Sequence, residues 1–191
     1  MFEKRYKFFI IFIIPIVFLY SGCATFNKDT PDFYLIQGKS KIKDKDYISA
    51  ISYLQKVEKI DTNKIFTPES LLLIGKSLFQ QSIIYRREII LFSKDTKQVY
   101  LNYLRESRGY FERVIKEYPN SSLADDAQFN IGLIFDWDEM GGVNNFAQAL
   151  IEYQKVIDNY PESSAYSKAK ARIELINSFY GGLKDTPHDI K

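Results

Sequence analysis

Apolar residues follow two different patterns along the chain. Residues 8–20, FFIIFIIPIVFLY, form an apolar run of 13 behind the basic residues Lys4, Arg5 and Lys7. From residue 31 onward apolar positions recur every three or four residues, the spacing that gives a helix one buried face. Val99, Tyr103, Tyr110, Val114 and Tyr118 keep this spacing and predict a long helix near 96–117, paired with another near 69–92 across a turn at Ser93, Lys94, Asp95 and Thr96. A further amphipathic helix is expected over 165–180, with Ala169, Ile173, Ile176 and Tyr180 inward, as a cap on an exposed end. Residues 136–145, DWDEMGGVNN, read as a loop by composition, and 181–191 as a frayed tail.

The pattern also repeats on a longer scale. FERVIKEYPNSSLADDA at 111–127 realigns 42 places later with YQKVIDNYPESSAYSKA at 153–169, and Ala50 to Val57 echo Ala149 to Val156. Self-similarity at such a period is the mark of stacked supersecondary units, which need about three copies to bury a continuous core. In the first copy Gly38, Ala50, Leu54 and Val57 keep a common spacing, with Thr62 where the others have Pro; the second has Gly75, Phe111, Val114 and Pro119; the third has Gly132, Ala149, Tyr153, Val156 and Pro161. Small residues let paired helices approach, the aromatic is expected to fill the groove to the next copy, and Pro stops the second helix. Gly75 and its matching small residue Ser107 are 32 apart where 12 is usual, so both helices of that copy must be lengthened.

These marks resemble the tetratricopeptide repeat over about residues 31–180. The resemblance implies an all-α solenoid of helical hairpins, about three repeats plus a C-terminal capping helix, with a protein-binding groove along the first helices. It places in that groove Leu35, Lys39 and Lys43 from the first copy, Leu72, Lys76 and Gln80 from the second, and Phe129, Leu133, Asp136 and Trp137 from the third. Trp137 suits a partner anchor and an inter-helix core position equally well.

Charge and cysteine narrow the function. The formal charge of +2 comes from Lys4, Arg5 and Lys7 against Glu3; without them 23 basic and 23 acidic residues remain, and a balanced chain gives no basic face for nucleic acid. The lone cysteine, Cys23, admits no internal disulfide. It follows Leu19-Tyr20-Ser21-Gly22, and the basic start, short apolar run and small pair together resemble the signal peptide and lipobox of bacterial lipoproteins, with Tyr20 departing from the usual Leu three places before the Cys. The apolar run is short for a bilayer span and is broken by Pro15. The resemblance implies a signal peptide at 1–22, several fatty acyl chains (palmitate among them) on Cys23, and a lipidated linker at 23–30 before the repeat domain at 31–180. Ala24 favours the outer membrane, periplasmic face, over inner-membrane retention.

Other chemistry finds little support. Asp136, Asp138, Glu139, Asn144 and Asn145 offer oxygens for calcium, but Met140 and Ala147 occupy ligand positions of the EF-hand template. The same acids, on a solvated loop, lack the raised pKa a glycosidase acid needs. His188, the one histidine, lies in the tail, and no phosphate-binding glycine loop is present. No enzyme activity, cofactor, metal or small-molecule substrate is therefore expected. The phrases YPNSSLADDA and YPESSAYSKA resemble the repeats of BamD-type outer-membrane assembly lipoproteins and of the Tol-Pal coordination protein, which implies an adaptor for envelope proteins, with a β-barrel assembly complex among the candidates. The alternative is a peptide- or cell-wall-binding, chaperone-like subunit of an envelope enzyme or transport complex.

Overall fold

The computed structural model describes residues 29–89, 94–137 and 145–180. They form seven helices: α1 (Pro31–Lys43), α2 (Tyr47–Ile60), α3 (Thr67–Ile89), α4 (Lys94–Glu117), α5 (Ala124–Trp137), α6 (Phe146–Asn159) and α7 (Ser164–Tyr180), with no strand among the described residues. Local chemistry sets the starts. Pro31 opens α1 in the first turn, where a missing N–H costs nothing. Asp46 and Asn145 accept hydrogen bonds from the backbone N–H of Ser49 and Gln148, at 3.2 and 3.1 Å, and so cap α2 and α6.

The hairpins are α1/α2, α3/α4 and α5/α6, and α7 packs on α5 and α6. Each hairpin closes on a glycine. A Cβ on Gly38 would lie 2.5 Å from the Leu54 side chain, one on Gly75 2.6 Å from the Phe111 ring, and one on Gly132 2.5 Å from the Tyr153 ring. The large residue therefore rests on the glycine of its own hairpin. It faces the next copy as well: Leu54 clusters with Ile74 and Leu78 of α3, Phe111 with Ala127 and Ile131 of α5, and Tyr153 with Ala165 and Ala169 of α7. Ser107, the small residue of the lengthened copy, donates its hydroxyl to the Gly75 carbonyl at 2.8 Å, tying α4 to α3 at the same level.

The lengthened hairpin is present, with helices of 23 and 24 residues against 13 or 14 in the other two hairpins. Of the turn expected at Ser93, Lys94, Asp95 and Thr96, Ser93 lies outside the described residues, and the other three already belong to α4, which begins two residues before the expected start at 96. The buried stripe of α4 is Tyr100, Leu104, Ser107, Phe111 and Val114, whereas Val99 is exposed. The inward face is thus turned by one residue in the upper half, because Tyr100 fills the seam beside Phe79 and Ile134 that Val99 had been expected to face.

Apolar clusters run without interruption from Leu35 and Leu54 through Phe111 and Ile131 to Tyr153 and Ile176. The cap is α7, which buries Ala165, Ala169 and Ile176. At the 42-residue repeat offset Glu174 of α7 stands where α5 has Gly132. A long acid there bars the close approach of another helix, so the described stack ends on a polar face.

Candidate functional site on the first-helix face

First helices of successive hairpins touch one another, α1 with α3, α3 with α5 and α5 with α7, and so make the inner face of the stack. The ten sequence-predicted groove residues divide sharply on it. Leu35 and Leu72 are buried in the core and present no open surface. Lys39 pairs with Glu69 at 2.7 Å, and Lys76 pairs with Asp126 at 2.9 Å, the same rung of a ladder in two successive repeats. Burial works against the Asp126 charge, but the hydrogen bond and charge of Lys76, joined by Lys168, hold its carboxyl below the usual range. Lys43 and Gln80 are exposed. Phe129 and Leu133 are half-buried; the Phe129 ring lies 5.4 Å from that of Tyr153, with the Lys168 ammonium 5.9 Å from its centroid.

Asp136 is not a loop acid. It is buried at the end of α5, accepts the Tyr153 hydroxyl at 2.9 Å and receives Arg172 of α7 through both Nε and a terminal guanidinium nitrogen. Burial first, then the negative charge and hydrogen bond of Asp136, push the Tyr153 phenol well up. Burial disfavours the Arg172 charge, and Asp136 more than offsets that. This arrangement clamps the capping helix to the third hairpin, and Asp136 with its Arg172 partner stands in the wall of the cavity beside Trp137. Asn145 caps α6, while Asp138, Glu139, Met140, Asn144 and His188 lie outside the described residues, as do residues 1–28 with Cys23.

Trp137 is partly open, 39% exposed, with its ring edge-on to Phe79 and the Arg86 guanidinium 5.8 Å from its centroid. It borders a cavity of about 350 Å³ between α3, α5, α6 and α7, walled also by Arg86, Phe146, Arg172, Leu175 and Phe179. Leu175 and Phe179 are 41% and 68% exposed, unusual for such side chains on a helix that otherwise caps a fold. Sequence reasoning had assigned them no role, yet the signal was there: they stand 42 residues after Leu133 and Trp137, the same offset as the repeat itself. The inner face therefore grades from Lys39 and Lys43, through Lys76 and Gln80, to an apolar end at Leu133, Trp137, Leu175 and Phe179.

The family model of the tetratricopeptide repeat matches residues 69–121 and 126–163, the second and third hairpins, and supports a tetratricopeptide-repeat protein with a protein-interaction role. No curated protein matches the chain. No described helix is long and apolar enough to cross a membrane.

Proposed function

We propose that this tetratricopeptide-repeat chain is a non-enzymatic adaptor lipoprotein, anchored through acyl chains on Cys23 to the periplasmic face of the outer membrane, that holds another envelope protein against its first-helix face. The observation that carries the binding reading is the apolar end of that face. Trp137, Leu175 and Phe179 from two successive first helices border one open cavity, and exposed aromatic anchors beside a pocket are where interface energy concentrates. The anchor rests on the basic start, the apolar run and Ser21-Gly22-Cys23. More than one acyl chain holds a protein stably at a membrane. Only seven residues, Ala24 to Thr30, separate Cys23 from the start of α1, so the face works close to the bilayer, where a membrane-embedded partner such as a β-barrel assembly component is met.

Affinity purification from solubilised membranes tests this reading. The wild-type chain is expected to retain an envelope protein in stoichiometric amount, and Trp137→Ala with Phe179→Ala to lose it at least about 10-fold, since each 1.4 kcal/mol of lost contact is a factor of ten. A retained partner indifferent to both substitutions would refute the groove. Labelling with an acyl donor that persists in Cys23→Ala would refute the anchor.

A further inference from the structure

The C-terminal half of the first-helix face sets an apolar stripe between two rows of cations. Phe129, Leu133 and Trp137 follow one another at four-residue spacing, a stripe that runs about 12 Å along α5 and ends at the cavity beside Phe179. On one side α3 brings Lys76 and Arg86; on the other α7 brings Lys168 and Arg172. Acidic groups are fewer. Lys76 and Lys168 converge on the one carboxylate of Asp126, each on a different oxygen, at 2.9 and 3.5 Å. Further along α5, Arg86 and Arg172 share the cavity wall with the one carboxylate of Asp136. Among the described residues, each level thus sets two cations against one carboxylate, whereas the first rung pairs Lys39 with Glu69 one to one. The surplus is open to water, since the side chains of Lys76, Lys168 and Arg172 are partly exposed while that of Asp136 is buried. It arises in a chain whose basic and acidic residues balance once its basic start is set aside, so the charge is concentrated here by the fold.

We infer that the occupant of this groove is an acidic segment of a polypeptide, with apolar side chains seated on the α5 stripe and in the cavity at Phe179, and Asp or Glu side chains against the cations of α3 and α7. The inference rests on the reading of the first-helix face as a binding groove and adds the chemistry of what it holds. Covering the stripe strips water from the cations on both sides of it, a cost that a neutral segment leaves uncompensated and carboxylates offset. Charge complementarity of this kind also speeds encounter and excludes basic segments. The planar fork of a guanidinium matches a carboxylate better than an ammonium does, which suits Arg86 and Arg172 to the level where the cavity fixes register. That cavity, about 350 Å³, has room for an aromatic or branched side chain beside the exposed Trp137, Leu175 and Phe179.

The test uses Trp137, the one tryptophan of the chain, as its reporter. The full chain in phosphatidylcholine nanodiscs is titrated with an acetylated, amidated peptide that carries Phe and Leu at i and i+4 and Asp or Glu elsewhere, and with its Asn/Gln counterpart, neither containing Trp. The acidic peptide is expected to saturate a change in Trp137 emission with a Kd at least about tenfold below that of the neutral one. The preference should shrink to less than about threefold in Arg86→Gln with Lys168→Gln, and also in the wild-type chain at about 1 M salt, where screening acts within about 3 Å and no variant has to fold. Phe179→Ala should weaken both peptides alike. Equal affinity for the two peptides, or a preference untouched by salt, overturns the acidic occupant and leaves the groove standing. A response that Phe179→Ala leaves intact puts the peptide elsewhere and overturns it too. Silence toward both peptides, in a chain that still yields an envelope adduct from a crosslinker in place of Phe179, rejects this occupant alone; loss of that adduct as well rejects the groove itself.

Discussion

At the scale of single residues, the sharpest dependence is on contacts that allow no slack. The Tyr153 ring is fully buried against Gly132. Gly132→Ala should therefore force ring or backbone to move and cost about 1–3 kcal/mol in denaturant unfolding. Asp61 is a residue whose importance the sequence concealed. Thr62 stands where the other copies carry Pro, and the structure shows what replaces that stop. The Asp61 carboxylate accepts from the N–H of Phe66 and of Thr67, both at 2.7 Å, and from the Thr67 hydroxyl at 2.8 Å, so it ends α2 and caps α3 together. Burial works against its charge, but the hydrogen bonds from the Thr67 hydroxyl and from the backbone of Phe66, Thr67 and Ile65 outweigh it and hold the carboxyl below its ordinary value. A carboxylate depressed in the folded state stabilises fully above its unfolded pKa, and that stabilisation is lost as pH falls through the folded one. Wild-type stability should thus drop more steeply than that of Asp61→Asn between about pH 5 and pH 3. At neutral pH Asp61→Ala should cost about 2–3 kcal/mol.

At the scale of elements, periodicity revealed the helices because each buries one stripe, and the small-residue spacing revealed the hairpins because only Gly, Ala or Ser lets two backbones close. Those signals located the lengthened second hairpin and the capping helix. What they missed lay in the rotation of α4, where Tyr100 rather than Val99 faces inward, since both residues fit a helical repeat and only packing chooses between them. They placed Lys39 and Lys76 on the groove but not their partners, because an ion pair to the next repeat spans 30 residues to Glu69 and 50 to Asp126 and leaves no local pattern. Such half-exposed pairs contribute little, so Lys76→Met should change stability by less than about 1 kcal/mol. The cap is different. Asp136→Ala would strand Arg172 and the Tyr153 hydroxyl and loosen α7, costing about 3 kcal/mol, read as a lowered melting temperature and faster amide exchange across 164–179.

At the scale of the molecule, the stack presents two faces with different chemistry. The first-helix face runs from cationic and polar to apolar, and its apolar end is open beside a cavity. Half of this site was legible. Trp137 was named from its place in the repeat, but Leu175 and Phe179 were read only as parts of a cap, because a terminal helix is expected to turn its outer surface polar. That they remain exposed is the feature a partner explains. Replacing Phe179 by Ala should leave the melting temperature nearly unchanged, since surface substitutions fall within about 0.5 kcal/mol, while removing most partner binding.

The most direct measurement installs a photo-crosslinking amino acid in place of Phe179 or, on α6 and 50% exposed, in place of Ile151, and irradiates intact cells. An adaptor that holds its partner on the first-helix face gives one discrete adduct with an envelope protein from position 179 and none from 151. An adduct from 151 with none from 179 would contradict it.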